Sequence, residues 1–145
     1  MYILDTNTVS AILRTESPHL RRRITATPYE QLYISIIVAH EMISDVLGQL
    51  NQNERTRHVT RHYEFFRSVI DDVNRFQILP YDDAAETIFQ NMPAEVKRVG
   101  TRDCRIAASA SSRGFTVVTN NVGDFSNIRA ACGVRFEDWS IAPPA

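Results

Sequence analysis

Short apolar segments alternate with longer segments of helical periodicity along this chain, and this alternation is what most limits its possible folds. Strands are predicted at 2–4, 32–34, 76–80, 115–119 and 134–136. The apolar run within 115–119 is typical of a parallel strand that is covered on both faces. Strands that alternate with helices predict an α/β fold, here a three-layer α/β/α domain with a central, mainly parallel sheet.

Helix boundaries are indicated by capping residues and breakers. The first helix is expected to run to about Leu13, and Asn51-Gln52-Asn53 is expected to interrupt the long third helix. Pro93 should break a later helix, and Gly114 should end the helix that contains Asp103. Helices are expected to begin at or directly after Asp5, Ser17, Ser35, Glu54 and Asp82.

The chain has 145 residues, which predicts one domain over 1–145 with the last few residues, from Ala142, frayed. No apolar run approaches a membrane span, and the first residues lack the basic region of a signal peptide. Cys104 and Cys132 form neither a disulfide framework nor a pair with the spacing of metal ligands. These features predict a reducing, cytoplasmic location.

Three acidic residues occupy positions that otherwise indicate a protein core. Asp103 shares a helical face with Ile106, Ala107 and Ala110. Asp5 ends the first predicted strand, and Glu41 lies on the apolar stripe of its helix. Carboxylates are costly to desolvate without compensation, and several of them with few His or Cys neighbours favour a hard cation such as Mg²⁺ or Mn²⁺.

Each acid also has a simpler interpretation. Asp5 could only cap the first helix, and Glu41 could form a structural ion pair with an arginine. Asp103 could be a first-turn acid of a helix capped by Thr101. In the segment 119–125, Asn121 and Asp124 could complete a metal site or cap a short helical turn, and the sequence does not choose between them.

The net charge neither supports nor excludes a nucleic-acid partner. The formal charge is −1, but Lys97 is the only lysine, so nearly all positive charge belongs to arginine. Arginine binds phosphate through a planar fork of donors. Candidate RNA-contacting groups are 21–23, the basic face at 55–62 that includes His58 and His62, and the group Arg98, Arg102 and Arg105 near Asp103.

Four segments in order resemble the PIN-domain ribonucleases. They are Leu4-Asp5-Thr6-Asn7, Glu41-Met42-Ile43, Gly100-Thr101-Arg102-Asp103 with Ile106-Ala107-Ala108, and Val118-Thr119-Asn120-Asn121 with Asp124-Phe125. The closing segment 134–139 is similar to the last strand of that family. Within it, the chain most resembles the single-domain VapC-like toxins of bacterial toxin–antitoxin pairs.

This resemblance implies a Mg²⁺- or Mn²⁺-dependent endoribonuclease that leaves 5′-phosphate and 3′-hydroxyl ends. Its substrate would be tRNA or another structured RNA, its inhibitor a cognate antitoxin, and its assembly a homodimer. By the same resemblance, Asp5, Glu41 and Asp103 would hold metal, with Asn121 or Asp124 as the fourth polar position. Asn7 would fix Asp5, and Thr119 would also support the ligands.

The chain departs from that family pattern at two positions, and two other functions compete with the one that it implies. The family often has an acid where Asn121 stands, and often a glycine where Asp45 stands, which we expect to face water. Asn121 and the modest charge leave open a catalytically weak PIN-fold module that binds RNA or a protein. A phosphatase of the haloacid-dehalogenase type is disfavoured because Asn7 cannot act as an acid and Lys97 is the only lysine.

Overall fold

The computed structural model describes residues 1–142, and its centre is a parallel β-sheet. Within those residues the sheet has five strands in the order β3-β2-β1-β4-β5, and every neighbouring pair is parallel. Leu4 is opposite Ile34 on one side and Val118 on the other. The strands are β1 (Tyr2–Leu4), β2 (Leu32–Ser35), β3 (Gln77–Leu79), β4 (Thr116–Val118) and β5 (Arg135–Glu137).

Helices connect and cover these strands. In residues 1–142 they are α1 (Thr6–Arg14), α2 (Pro18–Ala26), α3 (Ile36–Asn53), α4 (Val59–Val73), α5 (Asp83–Asn91), α6 (Ala94–Lys97), α7 (Thr101–Arg113) and α8 (Val122–Cys132). None of them is both long and apolar enough to cross a membrane. The predicted three-layer α/β/α fold is confirmed, and the sheet is parallel throughout the described residues.

The strand order places a reversal between β1 and β4. From β1 the chain builds outward to β2 and β3, then returns across the sheet to β4 and β5. Because parallel crossovers are right-handed, the two halves of the chain place their helices on opposite faces. A crevice opens outside the carboxyl ends of the strands where the order reverses, and ligand sites in open α/β sheets form there.

The core lies between the sheet and its two helical layers. Ile3, Leu4 and Val117 are fully buried, as continuous apolar strands in a doubly covered sheet should be. The first and last parts of the described chain are also joined: the Trp139 ring packs edge-on against Tyr2 at 4.7 Å. The buried strand residues therefore place the ends of β1 and β4 directly beside the crevice.

Most predicted helix ends are confirmed. Ser17, Ser35 and Asp82 each accept a hydrogen bond from the backbone of the first turn that follows. Gly114 ends α7 with φ of 66°, in the left-handed region that favours glycine. The expectation of a frayed tail falls on Ala142 and 143–145, and 143–145 lie outside the described residues.

Two expected helix boundaries were wrong, and two alternative interpretations of helix starts also differ from the structure. The third helix continues through 51–53 to Asn53, and the fourth begins at Val59 rather than near Glu54. Packing of α3 against α4 overrides the weak helix propensity of asparagine. The N-cap of α7 is Gly100 instead of Thr101, and α8 is a full helix of 11 residues rather than a short turn.

Candidate functional site

Four predicted acids come together outside the carboxyl ends of β1 and β4. Asp5 directly follows β1, Asp103 lies in the first turn of α7, and Asp124 lies in the first turn of α8. Glu41, on α3, completes the set. The negative charges of Asp5, Glu41 and Asp124 all raise the pKa of Asp103, so the four side chains lie within electrostatic range of one another.

Asp5 is both the cap of α1 and a buried acid of the site. Its Oδ1 accepts the backbone N–H of Thr8 at 2.7 Å, and only 3% of the residue is exposed. Burial raises the pKa of Asp5, hydrogen bonds from Thr119 and Thr8 oppose that rise, and the Glu41 charge adds to it. The capping interpretation is therefore correct for Asp5 without removing it from the cluster.

Asp103 is the acid whose ionisation the fold opposes most clearly. Burial is the largest cause, followed by the charges of its acidic neighbours, and together they raise its pKa from 3.8 to about 6. Gly100, the N-cap of α7, lies beside this carboxylate, since a Cβ at that position would be 3.4 Å from Oδ2 of Asp103. A positive ligand at this position would relieve the repulsion.

Glu41 has a partner on each carboxylate oxygen. Arg102 Nη1 lies 3.3 Å from Oε1, and the Thr6 hydroxyl donates to Oε2. The Glu41 side chain is 16% exposed, so it is less buried than the apolar stripe alone predicts. Glu41 thus forms the ion pair with arginine that its simpler interpretation predicts. Among residues 1–142, Asp5 and Asp103 form no ion pair with an arginine.

The segment after β4 forms a hydrogen-bonded turn. Asn121 donates its side-chain Nδ2 to Oδ2 of Asp124 at 2.7 Å, and its backbone N–H to the Thr119 hydroxyl at 3.0 Å. Asn121 occupies the N-cap position of α8 but its side chain makes no capping bond there. Thr119 is buried and also contacts Asp5, so it links the ends of β4 and β1.

Asn7 does not have the role that the resemblance implied. It is exposed on α1, and no hydrogen bond joins it to Asp5 in the described part of the chain. Thr8 holds Asp5 instead, and its hydroxyl also donates to the Val118 carbonyl at 2.9 Å. The capping spacing from Asp5 to Thr8 could have revealed this contact from sequence, whereas the Thr6 contact to Glu41 spans 35 residues and has no local signal.

The acids are neighbours and not an assembled ligand cage. Among residues 1–142, no three Asp, Glu, His or Cys side chains stand close enough to hold an ion as they are placed. His58 and His62, near the start of α4, belong to no such group of three among the described residues. The donor chemistry of the four acids is nevertheless uniform, because all supply carboxylate oxygens, the ligands that hard divalent cations prefer.

A groove adjoins the acids on the side of α1, α3 and α4. It has a volume of about 300 Å³, and Thr6, the hydrogen-bond partner of Glu41, lies at its wall. Met42 and the half-exposed Phe65 line it with apolar surface. Asp45 also lines this groove and is exposed to water, as expected.

The sequence matches the family model described as PIN domain over residues 2–131. The chain belongs to the PIN-domain family. This family assignment agrees with the order of the four segments and with the position of their acids at one edge of the sheet. The phosphatase alternative is further weakened, since Lys97 donates to the Gln90 carbonyl at 3.0 Å and lies over the Phe89 ring.

Relatives of this PIN-domain chain include named nucleases and toxins. It is 32% identical over 142 residues to the tRNA(fMet)-specific endonuclease VapC of Salmonella typhimurium, covering 95% of this chain and 97% of the relative. It is 28% identical over 147 residues to Toxin FitB of Neisseria gonorrhoeae, covering 96% and 99%.

Solved structures agree in fold. The DNA-bound VapBC structure from Salmonella typhimurium superimposes with a TM-score of 0.72 at 32% identity, covering 95% of this chain and 97% of that chain. The structure of FitAB bound to the IR36 DNA fragment gives a TM-score of 0.76 at 22% identity and covers 99% of both chains. The second likeness is one of fold alone.

Proposed function

We propose that this protein is an endoribonuclease that hydrolyses RNA phosphodiester bonds with Mg²⁺ or Mn²⁺. The observation that carries the proposal is the placement of four acids outside the carboxyl ends of β1 and β4, where burial and the charges of Asp5, Glu41 and Asp124 raise the pKa of Asp103 to about 6. Such a concentration of negative charge, only partly neutralised by the pairing of Arg102 with Glu41, is characteristic of functional sites. PIN-domain nucleases generally depend on divalent metal, which supplies the missing positive charge.

Asp5, Glu41, Asp103 and Asp124 are proposed to hold the ion. Asp5 and Asp103 have no cationic partner among residues 1–142, so a divalent cation compensates charge that the protein leaves uncompensated. Asn121 is proposed to position Asp124 instead of serving as a ligand, because its amide donates to that carboxylate at 2.7 Å. A neutral amide also holds a hard cation less strongly than a carboxylate does.

The bound ion would activate a water molecule and neutralise charge on the attacked phosphodiester. The protein contributes orientation. Thr8 and Thr119 fix the buried carboxylate of Asp5, and the ends of β1 and β4 hold that arrangement. Preorganised groups of this kind lower the barrier because they need no rearrangement during the reaction.

The substrate and partners are proposed from the relatives. One is named a tRNA(fMet)-specific endonuclease, and solved neighbours are VapBC assemblies. We therefore propose tRNA as the substrate class, a VapB-like antitoxin as the inhibiting partner, and a homodimer as the active assembly. The cytoplasm is the proposed location, where tRNA is available.

Cleavage of total bacterial tRNA with Mn²⁺ tests the activity. Asp5→Asn and Asp103→Asn should each lower the rate by about 100-fold or more, as removal of one electrostatic element of an active site does. Asp71→Asn, which changes an exposed acid of α4 paired with Arg67, is the matched control and should cleave normally. Full cleavage by both site variants, or none by the unaltered protein with Mn²⁺ and a broad RNA panel, contradicts the proposal.

A second candidate is the catalytically weak PIN-fold module. It is favoured by the ion pair between Glu41 and Arg102. It is also favoured because, in residues 1–142, no three of the acids stand close enough to hold an ion as they are placed. Calorimetric titration separates the two functions. Mn²⁺ binding with a stoichiometry near one or two supports the nuclease, whereas tRNA binding without any Mn²⁺ uptake supports the module.

A further inference from the structure

The three arginines near Asp103 lie in different environments. Arg105 stacks over the Phe89 ring at 4.6 Å, on the side of α7 that faces α5. Arg98 is exposed at the end of α6. Arg102 alone reaches the acids, through its contact with Glu41. Only Arg102 is therefore placed to act at the site.

The contact between Arg102 and Glu41 competes with metal binding. Both Glu41 oxygens are occupied, Oε1 by Arg102 at 3.3 Å and Oε2 by the Thr6 hydroxyl. If Glu41 is to coordinate a cation, at least one of these contacts has to be given up. The Arg102 side chain is 49% exposed, so its ion pair is of the weak, exchangeable kind.

We propose that Arg102 binds a substrate phosphate, and that Glu41 holds it in reserve until a divalent cation takes over the Glu41 carboxylate. The inference rests on the proposed nuclease function and deepens it. Arg102 directly precedes Asp103 in the first turn of α7, so a released guanidinium stays beside the acids. There it can meet the RNA backbone that the ion attracts.

The chemistry of the exchange favours this order. A guanidinium binds a phosphate through two parallel hydrogen bonds, which is stronger and more directional than its exposed contact to one carboxylate oxygen. Before metal binds, Arg102 partly offsets the repulsion among the acids. After metal binds, that offset is no longer needed and the arginine would be repelled by the ion, so metal loading prepares the phosphate contact.

The first measurement is calorimetric titration of Mn²⁺ into protein without RNA. Arg102→Ala removes the competitor for Glu41, so we expect Mn²⁺ to bind about 2- to 5-fold more tightly, the range of an exposed ion pair. Arg67→Ala is the matched control, because Arg67 forms an exposed ion pair of the same 3.3 Å length with Asp71 on α4. Its Mn²⁺ affinity should equal that of the unaltered protein.

The second measurement is binding of labelled total tRNA at saturating Mn²⁺. It is made in an Asp103→Asn background, which suppresses cleavage while keeping Arg102 and Glu41, at a Mn²⁺ concentration that calorimetry shows to saturate this variant. Adding Arg102→Ala should weaken binding and reduce the slope of log affinity against log salt by about 1, as loss of one phosphate contact does. Arg102→Lys keeps the charge without the planar fork and should restore the slope but only part of the affinity.

A purely structural ion pair would not produce opposite effects of Arg102→Ala, namely tighter Mn²⁺ binding and weaker tRNA binding. Weaker Mn²⁺ binding in Arg102→Ala would show that Arg102 supports Glu41 and would overturn the inference. Unchanged tRNA binding would overturn it as well. If either of these results is found while the unaltered protein still binds Mn²⁺ and cleaves RNA, only the proposed role of Arg102 is wrong. If it takes up no Mn²⁺, the proposed function itself fails.

Discussion

The two faces of helix α7 have opposite effects on the pKa of the acidic side chains beside them. Toward the crevice, α7 presents Asp103, whose pKa is raised to about 6 by burial and by other acids. Toward α5, it presents Arg105, which with Tyr81 and Gln90 surrounds Glu86. Hydrogen bonds from Tyr81 and Gln90 lower the pKa of Glu86.

The difference separates stability from function. The Glu86 cluster satisfies its charge within the protein, as structural polar networks do. The crevice keeps acids that repel one another, at a cost in stability that an added cation or protonation of Asp103 would reduce. Natural proteins tolerate such local conflict mainly at functional sites. The contrast therefore supports the proposal that a ligand binds in the crevice.

The strongest test of this contrast is removal of the Asp103 charge. Asp103→Asn should raise the free energy of unfolding at pH 7.5 by about 1–2 kcal/mol, since burial and neighbouring acids raise the pKa of Asp103 from 3.8 to about 6 while solvent screens part of the repulsion at this partly exposed carboxylate. Urea denaturation without metal measures it. Glu86→Gln serves as the control and should lower stability slightly. A loss of stability in Asp103→Asn would break the comparison.

The next test uses pH. Because the folded-state pKa of Asp103 lies above its unfolded value of 3.8, the folded state binds the proton more tightly, and stability from this group rises as pH falls through about 6. Asp5, whose pKa is also raised, acts in the same direction. At pH 4.5 the stability difference between Asp103→Asn and the unaltered protein should shrink to about one third of its value at pH 7.5. A difference that is constant with pH would exclude the electrostatic cause.

A third test adds charge to the crevice. Asn121→Asp places a second carboxylate beside Asp124, where the amide now donates a 2.7 Å hydrogen bond. The metal-free protein should lose about 1–2 kcal/mol through like-charge repulsion. In thermal melts, Mn²⁺ should raise the Tm of Asn121→Asp by more than it raises the Tm of the unaltered protein. Asn121→Ala, which only removes the hydrogen bond, should not gain that response.

The smallest expected effect lies at the satisfied cluster. Tyr81→Phe removes the hydroxyl that donates to Glu86 at 2.6 Å, and should cost about 1 kcal/mol of stability. The pKa of Tyr81, raised to about 12 by burial and by Glu86, keeps that hydroxyl protonated in the control protein. RNA cleavage should be unaffected, and a clear loss of activity would show that the two faces of α7 are coupled.

Sequence reasoning succeeded where the signal was local. Ser17, Ser35 and Gly114 mark helix ends through contacts within one turn, and all three were predicted. The break expected at 51–53 was wrong because contacts between α3 and α4 outweigh single-residue propensity. Asn7 was assigned a supporting role by resemblance, yet it faces water.

The amino-acid sequence by itself determined the α/β alternation, the strand segments and the acidic residues that stand in apolar surroundings, because periodicity and capping act over a few residues. Only the tertiary structure decided which partners these acids have. The pairing of Glu41 with Thr6 and Arg102 joins residues 35 and 61 positions apart. That pairing depends on strand order and crossover direction, and no local pattern encodes it.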